Sequence, residues 1–223
     1  MSNRFAINVD EMSSKVPMLP AGVYAASIVG ATIEGKEGKQ YINVVEEEVY
    51  DKKIKAMVPT GKYVLKGLMM FGVIIKSEKA KQILLQDEPR LYGGMIPLTF
   101  NQEDGTLALK NNVKFKQLLD VTGLDYKEFQ ESVDTSILDD VEIPEELQDV
   151  DNIDTLYQSA VYHRELFNMI ANAINNMDVR VKVIVRQNRQ DNSVKENAID
   201  PGTFQQPSIG LLPYVPGCEE DLK

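Results

Sequence analysis

Between Pro20 and Tyr50 the chain alternates in a way that only extended backbone accommodates. Val23, Ala25, Ser27, Val29 and Ala31 interleave with Tyr24, Ala26, Ile28, Gly30 and Thr32, so both faces carry apolar side chains. Such a run suits a long, bent strand that changes which side meets the core, with Gly30 as the bend or bulge. Gly35-Lys36-Glu37-Gly38-Lys39 offers two glycines for positive φ and reads as a turn. Tyr41 to Tyr50, rich in β-branched and aromatic residues, predicts a second strand.

The chain has 223 residues, enough for one domain with insertions or two small ones. No apolar run approaches the ~20 residues of a membrane span, and the first residues lack a signal-peptide core, so a cytoplasmic protein is expected. Cys218 is the only cysteine and His163, far from it in sequence, the only histidine, which fits a reducing compartment and argues against a metal or nucleophile role for Cys218. The net charge is −10, but it is unevenly spread. Residues 120–154 hold 13 acidic residues and one basic residue, Lys127; that stretch is −12 and the remainder of the chain is therefore +2. An acidic segment sits on a mildly basic body. It reads as a solvated surface, or more sharply as a partner-binding or DNA-imitating segment.

Further along, Phe5, Ile7 and Val9 alternate in an N-terminal arm over 1–20. Lys53 to Val58 alternates with lysines on one face and predicts a hairpin partner for the Tyr41–Tyr50 strand. Pro59-Thr60-Gly61 then breaks the run, and Lys62 to Ile75 resumes as a strand rather than a helix, because Gly67 and Gly72 disfavour a helix interior. A helix follows with Ser77 as its cap. An edge strand over Met95 to Phe100 contains Pro97, and Thr106 to Leu109 pairs back with it. Helices are expected over Asn112 to Val121, stopped by Gly123, and over Asp125 to Val133. The clearest helix is Ile153 to Met177, capped by Asp151 or Asn152, with Ile153, Leu156, Tyr157, Ala160, Val161, Phe167, Ile170, Ala171 and Ile174 as its apolar stripe. Val179, Val181, Val183 and Val185 face one way in a late strand and Arg180, Lys182 and Arg186 the other; Val194 to Ile199 returns beside it. The expected class is mostly β with added helices (α+β): an OB-like Greek-key antiparallel barrel over 21–200 with a helical, acidic insertion at about 120–178, followed by an extended tail over 201–223. Neither the first strands nor the late pair suffices to close a barrel, so Ala21–Ile75 and Val179–Ile199 are expected to belong to one antiparallel barrel.

The PAGVY opening, the turn in GKEGKQYINVVEEEVYDKK, the helix in FKQLLDVTGLD and the late pair VRVKVIVRQNRQDNSVKENAID resemble a family of phage-encoded single-stranded DNA-binding proteins with an OB fold. Relative to that pattern, residues 76–112 and 126–177 look inserted, and the tail lacks a terminal aromatic. The resemblance implies binding of single-stranded DNA in replication or recombination without catalysis or cofactor. Replication proteins recruited through the acidic segment or tail, and further copies of the chain, are the expected protein partners. The physical requirement is phosphate neutralisation plus stacking of bases on aromatic rings. The cationic candidates are Lys36, Lys39, Lys53, Lys55, Arg180, Lys182, Arg186 and Arg189; the stacking candidates are Tyr41, Tyr50 and Tyr63. The competing expectation is a virion structural or assembly protein whose basic strands are paired to acids. A third is an inhibitor whose acidic segment imitates DNA.

His163 reads as a structural or solvated residue of its helix. Asp149 to Asp154 lacks the glycine and final glutamate of a calcium loop, and Asp139, Asp140 and Glu142 lack basic partners at informative spacing. No phosphate loop, dinucleotide fingerprint or nucleophile elbow occurs, so no enzyme is expected.

Overall fold

The computed structural model describes residues 17–188, 191 and 194–218. Seven strands, β1 (Gly22–Thr32), β2 (Asn43–Asp51), β3 (Ala56–Ile75), β4 (Arg90–Thr99), β5 (Asp178–Gln187), β6 (Lys195–Ile199) and β7 (Leu211–Pro213), form one antiparallel sheet. Four helices join it: α1 (Glu78–Leu84), α2 (Val113–Thr122), α3 (Tyr126–Ser132) and α4 (Ile153–Ile174). The α+β class holds, and the early and late strands do share a sheet: β1 pairs β5 from Gly22↔Val183 to Ser27↔Asp178. The sheet is not closed into a barrel; among the described residues no ladder joins β4 to β6. No helix among the described residues is long and apolar enough to cross a membrane. The expected strand at Phe5, Ile7 and Val9, and Arg189, lie outside the described residues.

β3 organises the sheet. It is continuous through Pro59-Thr60-Gly61, where a break was expected. The ladder absorbs that triplet as a bulge between Glu46↔Tyr63 and Glu48↔Pro59, and proline is tolerated because this part of β3 has a neighbour on one edge alone. β1 and β2 do not pair with each other. They lie end to end along one edge of β3, and β4 takes the other, since Lys66 pairs with both Asn43 and Thr99 and Met70 with both Thr32 and Met95. The turn at Lys36–Gly38 is a local excursion between β1 and β2, closed by the bridge Glu34↔Gln40. The hairpin joining β2 to β3 turns at residues 52–55, so Lys53 and Lys55 sit in the turn and not on a strand face.

Two glycine bulges flank β3 at Phe71 and Gly72. In β1, Gly30 and Ala31 together oppose Phe71, between Val29↔Gly72 and Thr32↔Met70; Gly30 has φ +58. In β4, Gly93 (φ +97) is the extra residue between Tyr92↔Gly72 and Gly94↔Phe71. Each bulge shifts the inward parity by one residue, because side chains alternate with period two. Tyr24, Ala26 and Ile28 point inward before Gly30, and Ala31 and Ile33 after it; Leu91 points inward before Gly93, and Ile96 and Leu98 after it. The expected role of Gly30 is met. The bulge removes Ala31 from the ladder, and the side chain of Asn175, at the end of α4, replaces the missing strand. Ala31 N–H donates to Asn175 Oδ1 at 2.9 Å, and Asn175 Nδ2 donates to the Ala31 carbonyl at 3.3 Å.

α4 lies against β1, β2 and β3 with Leu156, Phe167, Ile170 and Ile174 buried. Its buried stripe also includes Leu166 and His163, while Tyr157 and Val161 sit at its edges. Asn152 is its N-cap in the left-handed region and does not cap with its side chain, which instead donates to the carbonyls of Gln102 and Glu103. The helix ends at Ile174, because Asn175 is needed by the bulge and Asn176 N–H by the Ile28 carbonyl at 2.7 Å. Helices α1, α2 and α3 occupy their expected positions, with Ser77 Oγ accepting from Ala80 and Gly123 ending α2 at φ +70. The region about 120–178 therefore supplies core and is not a detachable insert. The stretch read as an extended tail contributes β7 and buries Ile209, Leu211 and Cys218. Val185, expected inward, lies near the end of β5 and is exposed.

His163 is packed among Phe100, Tyr162 and Phe167, with the Phe100 ring edge-on at 4.8 Å, and Nδ1 donates to the Ser159 carbonyl at 2.8 Å. Burial pushes its pKa below the usual histidine value, against an opposing effect of that hydrogen bond. The unfolded chain then binds a proton that the folded chain does not, so stability falls as pH drops below the ordinary histidine value. Between about pH 7 and about pH 5.5, His163→Phe should flatten the decline of the urea midpoint, since the chain has no second histidine. Two backbone variants test the bulge by urea denaturation. Gly30→Ala meets no neighbouring atom and should cost about 1–2 kcal/mol from its positive φ alone. Asn175→Ala leaves both Ala31 groups without the carboxamide and should cost about 1–3 kcal/mol.

Candidate nucleic-acid interface

The double bulge opens a shallow depression of about 370 Å³ on the outer side of the sheet. Gly30, Gly72 and Gly93 leave part of its floor without side chains, next to Thr32, Met70 and Phe71, and Lys36, Tyr41 and Tyr92 stand around it. Tyr41 follows the excursion after β1 and folds against Gly35, where a Cβ would sit 2.6 Å from the phenol oxygen. Tyr92 lies across β3, against Gly72, where a Cβ would sit 3.0 Å from its ring. Tyr92 is 66% exposed. Lys36 and Lys39 are exposed and form no ion pair among the described residues. Glu34 also lines the depression, and the Gln40 amide donates to it. Two rings over a glycine floor beside lysines can hold flat, anionic ligands, by ring contact on one side and charge on the other.

Tyr92 was missing from the sequence candidates. Its signal was a tyrosine directly before Gly93-Gly94, a ring placed where the backbone bulges. The remaining candidates are dispersed. Tyr63 faces inward, half-buried beside α4, where Lys62 and Asp149 to Asn152 surround it, so it is on the opposite face from Tyr41. Lys53 and Lys55 lie at the hairpin tip, roughly 30 Å of strand from the start of β2. On β5, Arg180 Nε donates to the Pro213 carbonyl at 2.8 Å, Lys182 pairs with Asp200 at 2.7 Å, and Arg186 pairs with Glu196 at 2.9 Å. The Lys182 hydrogen bond holds the Asp200 carboxyl below the usual range. The late strand's cations are thus largely compensated inside the molecule.

A second cleft, of about 450 Å³, lies between α3, α4 and the segment 104–109. Ser159 Oγ is 3.1 Å from His163 Nδ1 there, a spacing that invites a nucleophile–base reading. The chemistry does not follow, because that nitrogen carries its proton to the Ser159 carbonyl and cannot accept one from the hydroxyl. The Ser159 hydroxyl itself donates to the Gly105 carbonyl at 2.5 Å. Comparison with protein-family models, curated proteins and solved structures finds no match to this chain.

Proposed function

We propose that this chain is a non-catalytic single-stranded DNA-binding protein, acting in phage replication or recombination as the sequence resemblance implies, on a sheet that approximates an OB barrel without closing. The observation that carries this is the convergence of Lys36, Tyr41 and Tyr92 on one glycine-floored depression. Bases stack on Tyr92 and Tyr41, and Lys36 and Lys39 meet the phosphates. The long bent β1, crossed by a bulge and paired with the late β5, supports the barrel-like part of the proposal. The exposed carboxylates of 120–154 repel the strand from the α3 side and confine it to the outer face.

An assembly protein is the second reading, and one observation favours it: Lys182 and Arg186 are matched to acids, as a structural protein would have them. A fluorescence titration with an oligothymidine strand at two salt concentrations separates the two. Salt-dependent binding is expected, and none at low salt would leave the assembly reading. Lys36→Gln and Lys39→Gln should each reduce the slope of log affinity against log salt by roughly 0.7. Tyr92→Leu should weaken binding by the equivalent of about 1–3 kcal/mol with the slope unchanged, because stacking releases few counterions. Arg186→Gln should change little, since its charge already faces Glu196.

A further inference from the structure

The β2–β3 hairpin continues beyond the body of the protein as an arm. From Glu48 to Asp51 on one strand and Ala56 to Pro59 on the other, each strand has only the other as a ladder partner. Val49 and Val58 share one face of this ribbon, and Tyr50 and Met57 share the other. Val49 is 50% exposed, Tyr50 58%, Met57 53%, and Ile54 at the tip 63%. A two-stranded ribbon alone in water is marginally stable, and apolar side chains on both its faces mark a surface that is covered in use. The tip also carries Lys52, Lys53 and Lys55, all exposed and without an ion pair among the described residues.

We infer that the arm docks on a second copy of this chain, in the cleft between α3 and α4. Charge complementarity selects that occupant. The cleft offers Leu107, Leu109, Tyr126, Leu138 and Tyr162 to apolar side chains. Asp104 is part of its lining, and Glu128, Glu131, Asp134, Asp139 and Asp140, close in sequence to the lining residues Tyr126, Gln130 and Leu138, are exposed; among the described residues only Glu131 of these five has an ion-pair partner, Lys127 at 3.4 Å. A cleft with an apolar side beside polar groups such as Gln130 and Gln158, flanked by carboxylates, matches an apolar ribbon tipped by three lysines. Nucleic acid fits the arm less well. Stacking needs a flat face among cations, whereas here the single ring, Tyr50, shares its face with Met57, the other face carries Val49 and Val58, and Glu48 and Asp51 stand beside the lysines. Arm and cleft are different surfaces, so the contact closes a two-fold dimer where two copies exchange arms, and runs head to tail into rings or filaments where they do not. It holds whether or not the outer face binds DNA.

Sedimentation velocity on the full chain without DNA tests this. At about 50 mM salt, species larger than the monomer should grow with concentration, and at about 500 mM they should recede, because the ion pairs are screened. The arm variant K52E/K53E/K55E and the cleft variant E131K/D134K/D139K should each fall to monomer, weakening association about tenfold or more. Mixed together they should associate again, since each reversed surface now meets its opposite. All six positions are exposed, and an unchanged melting temperature confirms folding. A wild-type monomer at every concentration and salt overturns the inference, as does association that neither variant weakens or a mixture that fails to recover. If the arm variant keeps its self-association but loses oligothymidine binding, the arm is a nucleic-acid element and the inference is wrong.

Discussion

Side-chain carboxamides do for this sheet what closure does for a barrel. A bulged, open sheet leaves N–H and C=O groups without ladder partners, and burying such groups costs more than most single contacts return. Four residues supply planar substitutes for a peptide group. Asn175 pairs both backbone groups of Ala31, Asn112 those of Thr99, Gln102 those of Leu65, and Asn197 those of Leu19. Each stands where a strand bulges, ends or approaches the sheet. A carboxylate could accept but not donate, and an apolar residue could do neither. The ends of β4 and α4, and the approach of Leu19 to the sheet, are set by these amides.

With the bulges stabilised, the rest of the architecture follows from alternation. The shift at Gly30 lets Tyr24 and Ile33 reach the same core, although they are an odd number of residues apart. The matching shift at Gly93 keeps β4 in step. The inner face can then accept α4 along the sheet, while the outer face has no Cβ over the glycine floor. The depression is the outer consequence of a device whose inner purpose is packing. Charge is divided by the same geometry. The exposed carboxylates follow α3 and the segment leading into α4, Lys36 and Lys39 stand on the excursion after β1, and Lys52, Lys53 and Lys55 are carried away on the arm.

Much of the local structure was legible. The strand periodicity of residues 22–32 and 179–183, the Ser77 cap, the Gly123 stop and the α4 stripe all have short-range causes, and Gly30 announced itself as a glycine where the alternation changes sense. Pro59-Thr60-Gly61 misled because a turn-forming triplet also makes a bulge when a partner strand holds it, and β2 does. Alternation over Lys53 to Val58 suggested strand to its first residue, yet a hairpin must turn somewhere, and residues 52–55 lie where β2 and β3 meet. Of the proposed site, Lys36 and Tyr41 fall together, whereas Tyr63 is inside and the β5 cations have partners. Sequence shows which residues carry charge but not which opposite charge will face them.

The sequence by itself determined the class of the elements, the sheet shared by early and late strands, and the split between an acidic segment and a basic remainder. These depend on period, on turn residues and on charge counts, which are local or additive. Tertiary structure alone decided that β1 and β2 share one edge of β3 instead of pairing, and that the acidic region supplies core. It also decided that Tyr92 joins Tyr41 while Arg186 turns to Glu196. Each of those outcomes depends on which groups meet across long stretches of chain. Asn175 and Ala31 are 144 residues apart, and nothing in either neighbourhood specifies the other until the sheet and helix have packed.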